Sequence, residues 1–205
     1  AQLFNLLTSG HIGHQHFEKL VVAPMNMRKR VLALIAREAE HRRRGGAGRI
    51  VAKMNSLEDP EIVRALYDAS RAGVEIDLIV RGVCRLRPGV PGMSESIRVR
   101  SIVGRFLEHA RIFHFANDGA DEFYIASADW MSRNLDYRVE TMVPVESPDL
   151  RAELQWMLDV QLADNRKAWA LESDGSWRQE QPAEGEPERD SQAIFMANAL
   201  RRRAR

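Results

Sequence analysis

The sequence predicts an α/β domain, a mixed β-sheet flanked by helices, over residues 17–170. Three observations carry this. Residues 49–80 read as strand, helix, strand within one βαβ length, which requires a parallel pair with a right-handed crossover. Further strand-like runs follow, two of them joined by a hairpin signal, which adds antiparallel neighbours. Helical segments at 27–43 and 148–165 then supply cover for the sheet.

The elements follow in order. Phe17–Ala23 is a strand stopped by Pro24. Asn26 is a candidate N-cap, and Val31, Leu32, Leu34, Ile35 and Ala39 mark an amphipathic helix to about Arg43, ended by Gly45-Gly46. Arg49–Asn55 is a strand. Asp59-Pro60 starts a helix, because Asp caps and proline suits the first turn. That helix carries Ile62, Val63, Leu66 and Tyr67 and ends at Gly73. Val74–Val80 is the second parallel strand. After a loop with Pro88, Gly89, Pro91 and Gly92, strands are expected at 97–103, 106–115, 122–126 and 138–145. Asn117-Asp-Gly119 supplies the hairpin turn. Pro148 opens a helix to about Asn165. Residues 172–190 are rich in acid, proline and glycine and read as a flexible linker. A short helix with a basic end follows, so that 171–205 forms a polar tail.

Hydrophobic residues at 44% and charged residues at 29% suit a folded globular domain. No apolar run approaches the ~20 residues of a membrane helix. One cysteine, Cys84, excludes an internal disulfide and a cysteine-built metal site. The chain opens on Ala1 with no signal-peptide pattern, and residues 1–16 read as the tail of a preceding domain. Net charge is only +1, but it is unevenly placed. Between Arg81 and Arg111 lie seven arginines and two acids, a net +5; residues 172–190 carry a net −5. Arginine's planar fork grips phosphate or carboxylate oxygens bidentately, so an arginine-only cluster points to oxyanion binding.

Alternation over the expected strand 106–115 puts His109 and Arg111 on one face and His114 on the other. Arg81 ends a parallel strand at the edge where open α/β sheets bind ligands. His109 is therefore the functional candidate and His114 the structural one. Lys53 and Asn55, closing the first parallel strand, could reach the same edge. The segment Ser127-Ala-Asp129-Trp-Met-Ser-Arg133-Asn134 follows a strand. Asp129 could orient a histidine, and Arg133 and Asn134 could donate to phosphate oxygens. The closely spaced His11, His14 and His16 lack acidic or cysteine partners, so no metal site is expected. There is no dinucleotide fingerprint and no P-loop. No basic helix with interleaved aromatics suggests a nucleic-acid groove.

The runs KLVVAPMNMRKRVLALIAREAEH, AKMNSLEDPEIVRALYDAS, VRGVCRLRPGVPG and SADWMSRNLDYRVE resemble the C-terminal catalytic domain of bacterial ATP-dependent polyphosphate kinases, over most of 17–170. The resemblance implies a phospholipase-D-like fold in which two similar domains share one cleft. It implies reversible transfer of the terminal phosphoryl of ATP to polyphosphate, through a phosphohistidine in the preceding domain. Arg81 and His109 match the family's nucleotide-binding positions, with His109 also catalytic. Lys53, Asn55, Arg111, Asp129, Arg133 and Asn134 remain candidates for binding phosphate or orienting its ligands. Mg²⁺ is implied, with its ligands expected outside this chain. ATP, ADP and polyphosphate are the implied partners, with no nucleic acid and a homo-oligomeric intact protein. The implied location is cytoplasmic, at most peripheral at the inner membrane. Phospholipase-D-like phosphodiesterases carry His-x-Lys; here it is His109-x-Arg111, and arginine cannot donate a proton. A phosphodiesterase and a non-catalytic polyanion-binding module are the alternatives.

Overall fold

The computed structural model describes residues 17–203. The expected tail of a preceding domain at 1–16, with His11, His14 and His16, lies outside the described residues. Nine strands form one mixed sheet in the order β1-β7-β6-β5-β2-β3-β4-β8-β9. They are β1 (Val21–Ala23), β2 (Arg49–Met54), β3 (Glu75–Val80), β4 (Ile97–Ile102), β5 (Ile112–Phe115), β6 (Glu122–Ala126), β7 (Glu140–Val145), β8 (Ala168–Leu171) and β9 (Trp177–Gln179). The helices are α1 (Met27–Arg43), α2 (Pro60–Arg71), α3 (Ser132–Tyr137), α4 (Pro148–Leu162) and α5 (Ser191–Arg203).

The βαβ unit stands as expected. β2 and β3 run parallel from Arg49↔Glu75 to Met54↔Val80. The Asp59 side chain accepts from the amides of Glu61 (3.1 Å) and Ile62 (3.0 Å), and Pro60 fills the first position of α2. Gly73, at φ +86°, lets the chain leave the helix through the left-handed region. Asn26 does not cap α1 through its side chain; its Oδ1 instead accepts from the Val22 amide at 2.8 Å.

Period-2 alternation places apolar layers on both faces. Ile50, Ala52, Ile76, Leu78, Phe113 and Phe115 face α1 and α2, where Val31, Leu34, Ile35, Ile62 and Leu66 are buried. Val51, Ile79, Ile112 and Phe123 face α4 through Leu158. Trp156, on α4, meets Phe195 of α5 edge-on, with centroids 5.4 Å apart.

Two expectations need correction. Residues 106–111 are not strand: the sheet regains pairing only at Ile112. Phe106 and Leu107, which suggested the strand, are 48% and 69% exposed. Nor is 172–190 unstructured. β8 pairs with β4, and β9 pairs with β8 through Trp169↔Gln179 to Leu171↔Trp177. Asp164 fastens the start of this hairpin to α5. Its Oδ1 accepts from the amides of Arg166, Lys167 and Ala168, and its Oδ2 accepts from the Ser191 amide at 2.8 Å. Burial pushes this carboxyl up, but these bonds hold it below the usual range.

Candidate active site

The topology brings distant residues to one edge. β2, β3 and β4 are mutually parallel, while β5 is antiparallel to β2. The chain therefore leaves β4 and enters β5 at the same edge, crossing the ends of β3 and β2 on the way. Residues 103–111 make this crossing and carry His109. Asn55 follows β2 and Arg81 follows β3. β6 is antiparallel to β5, so it too ends at this edge, and Asp129 lies just beyond it.

Side-chain bonds join these residues into one path. The Arg81 Nε donates to Asn55 Oδ1 at 3.2 Å. The Asn55 amide donates to Asp129 Oδ1 at 2.7 Å, and its Nδ2 to Oδ2 at 3.3 Å. Arg111 grips the same carboxylate bidentately, Nε to Oδ1 and Nη2 to Oδ2, both at 3.2 Å. Its Nη1 donates to the His109 carbonyl at 2.9 Å and lies 3.1 Å from His109 Nδ1. A guanidinium has no acceptor, so Nδ1 must accept. A neutral His109 then carries its proton on Nε2. Asp129, read from sequence as able to orient a histidine, does not touch His109; it holds Arg111, which in turn contacts the ring.

A second set lies beneath the crossing. Lys53, read from sequence as either a ligand or a surface residue, is buried on the α4 face, its side chain 3% exposed. Its Nζ is 3.1 Å from Glu108 Oε2. Gln161 Nε2 of α4 donates to the same oxygen at 2.9 Å, and Gln192 Nε2 of α5 donates to Oε1 at 2.7 Å. Burial lowers the Lys53 ammonium from its ordinary value; Glu108 opposes this, while Arg81 and Arg111 add to it. Lys53, Arg81 and Arg111 against Asp129 and Glu108 leave one net positive charge. Lys53→Ala is expected to lower stability by about 3 kcal/mol, because it strips a buried carboxylate of its cation. For a domain of this size that is a fall in Tm of roughly 6–12 °C, readable by calorimetry.

Other candidates fall elsewhere. Asn134, on α3, is buried and donates to Glu140 Oε1 at 2.8 Å; Arg133 is exposed. Among the described residues neither bonds to the path above. His114 is structural as expected, with Nε2 2.6 Å from Asp121 Oδ1 and its ring stacked on Phe123. The arginine-rich segment is not one patch. Arg98 pairs with Asp77 at 2.7 Å, Arg85 with Glu58 at 3.3 Å, and Arg100 donates to the Leu162 carbonyl. A groove of about 360 Å³ between β4 and the β8–β9 hairpin contains none of the site residues; its Arg178 is paired with Glu172 and Glu180. Glu108, Gln161 and Gln192 carried no motif or spacing that would have singled them out.

Among the described residues no group of three or more His, Cys, Asp or Glu could hold a metal ion. None of their helices is long and apolar enough to cross a membrane.

Residues 20–192 match the family described as polyphosphate kinase C-terminal domain 2. A polyphosphate kinase of Synechocystis sp. is 61% identical over 198 residues, which cover 97% of this chain and 27% of that protein. The crystal structure of the Porphyromonas gingivalis polyphosphate kinase matches with a TM-score of 0.91 at 42% identity, covering 98% of this chain and 30% of that one. Nuc of Salmonella typhimurium, a phospholipase D family member, matches with a TM-score of 0.54 at 17% identity, covering 75% of this chain and 98% of its own, a likeness of fold. The chain thus spans about a quarter of the length of the curated relatives it matches.

Proposed function

The chain belongs to the polyphosphate kinase family, as its C-terminal domain 2, and we propose that it forms the C-terminal part of an ATP:polyphosphate phosphotransferase. In this reading the terminal phosphoryl of ATP passes to a histidine in another domain and then, reversibly, to the end of a polyphosphate chain. The observation that carries the reading is the hydrogen-bonded path from Arg81 to His109, the two positions to which the resemblance assigns nucleotide binding.

Phosphoryl transfer is mainly positioning plus stabilisation of charge on the equatorial oxygens. Arg81 commits its Nε to Asn55, and among the described residues its two Nη groups make no hydrogen bond. Those nitrogens donate to the transferring phosphoryl. His109 is exposed, and its Nε2–H is turned away from Arg111. Its Nε2–H donates a hydrogen bond to the phosphate oxygen that leaves with ADP and stabilises the charge developing there, while keeping its proton. Arg111 is held by Asp129 and stays charged, so it sets the ring and adds positive potential without trading protons. The described residues do not fit a magnesium site, and no step here runs through one; the ion's ligands are assigned to the rest of the protein.

A phosphodiesterase reading finds less support. Arg111 stands where such enzymes carry lysine, and its guanidinium is tied to a carboxylate.

The test uses γ-labelled ATP. The full-length protein containing this sequence should take up acid-labile label and extend polyphosphate. The 205-residue chain alone should bind ATP and take up none. Label on the isolated chain would overturn the assignment of the phosphohistidine to another domain. A full-length protein that binds polyphosphate but transfers nothing would leave only a polyanion-binding module.

A further inference from the structure

The segment that carries His109 is longer than its span. Residues 103–111, nine in all, could stretch roughly 30 Å. Crossing from β4 to β5 takes three inter-strand steps, about 14 Å. Such slack leaves a side chain unplaced unless the segment is pinned. Arg111 pins its end on Asp129.

The other pin comes from the far end of the chain. Gln192, in the first turn of α5, is 5% exposed. Its Oε1 accepts from the Phe106 amide at 2.9 Å, and its Nε2 donates to the Phe106 carbonyl at 2.9 Å. One carboxamide thus serves both backbone groups of one residue, as a neighbouring strand would. The same Nε2 donates to Glu108 Oε1, next to His109. Gly104 packs directly on this carboxamide: a Cβ there would lie 2.5 Å from Gln192 Oε1. α5 does not need Gln192 to dock. It is already held by Asp164 on the Ser191 amide and by Phe195 against Trp156.

We infer that Gln192 is a positioning residue: it fixes the crossing at Phe106 and Glu108 and so sets His109 for phosphoryl transfer. The inference rests on the role given to His109 above.

Gln192→Ala in the full-length protein should lower kcat by about 10- to 100-fold, as small misplacements of catalytic groups do. KM for ATP should stay within about three-fold, since the missing contact is not to bound substrate. Phe195→Ala should lower Tm yet keep kcat, because it loosens α5 without touching the crossing. Gln192→Glu alone keeps the side chain's length but sets a carboxylate against Glu108, and should be at least as damaging as alanine. Adding Glu108→Gln removes that repulsion but leaves a carboxylate oxygen facing the Phe106 carbonyl, which it cannot serve. That double variant should therefore stay at least about ten-fold below wild type in kcat. Wild-type kcat in Gln192→Ala, equal kcat loss in Phe195→Ala, or full rescue in the double variant would overturn the inference. If the wild-type protein transfers no phosphoryl, it is the functional reading that fails, and hydrogen exchange of the isolated chain decides the positioning claim. Amides of 104–110 should exchange at least about ten-fold faster in Gln192→Ala, with those of β2 unchanged; unchanged exchange at 104–110 would overturn it.

Discussion

His109→Ala in the full-length enzyme is expected to lower kcat for polyphosphate synthesis by about 10²- to 10³-fold, the range set by loss of one positioned donor to developing charge. Its thermal stability should be nearly unchanged. The side chain is exposed, and its ring nitrogen meets Arg111 alone among the described residues, a partner that still holds the His109 carbonyl and Asp129. His109→Gln should recover only part of the loss, since its amide can donate to phosphate but is not aimed as the ring is by Arg111. Steady-state kinetics beside a melting curve checks both halves. A large drop in Tm with full activity per folded molecule would make His109 a structural residue.

Asp129→Ala should strike stability and activity together. Its carboxylate is buried and accepts four bonds, two from Asn55 and two from Arg111. Removing it leaves the Asn55 amide without its partner and the Arg111 guanidinium, only 12% exposed, without its counter-ion. Stranding one member of a largely buried pair typically costs about 3–5 kcal/mol, so Tm should fall by roughly 6–20 °C. Both arms of the path lose their anchor, Arg81 through Asn55 and His109 through Arg111, and kcat measured below the new Tm should fall about 10²-fold. Asp129→Asn should be intermediate in stability. Its remaining oxygen still accepts from the Asn55 backbone, while its new NH₂ faces a donor of Arg111 that it cannot satisfy. If kcat per folded molecule survives in both variants, the path aligns nothing and Asp129 only holds the sheet edge.

Local signals account for what the sequence revealed. Asp59-Pro60 and Gly73 bound α2 through capping and backbone freedom, effects that act within one turn. The parallel pair then followed from connection length. Arg81, Asn55 and Asp129 could be brought to one edge because strand direction fixes which loops share it. Of the strand expected at 106–115 only Ile112–Phe115 forms, because Phe106 and Leu107 imitate half of a sheet face while lying exposed on a crossing. The hairpin β8–β9 was hidden because edge strands of three or four residues need few apolar side chains, and the acids around them read as linker. Lys53 drew attention but not its true setting. Whether a lysine is buried depends on Glu108, 55 residues away in sequence, and no periodicity reports that. Gln192 gave no signal at all, since an amide that mimics a strand partner looks like any surface glutamine.

The bond between Gln192 and Phe106 joins residues 86 positions apart, and this bears on how the protein is made. At roughly 5–20 residues per second, a ribosome delivers Gln192 about 4–17 s after Phe106. For that interval the nascent chain can assemble β2 to β4 and already holds His109, yet its crossing segment has only one of its two pins. A polypeptide released early, short of Ser191, would own every candidate residue and still lack the last anchor of the site. Competence for phosphoryl transfer would then wait on α5.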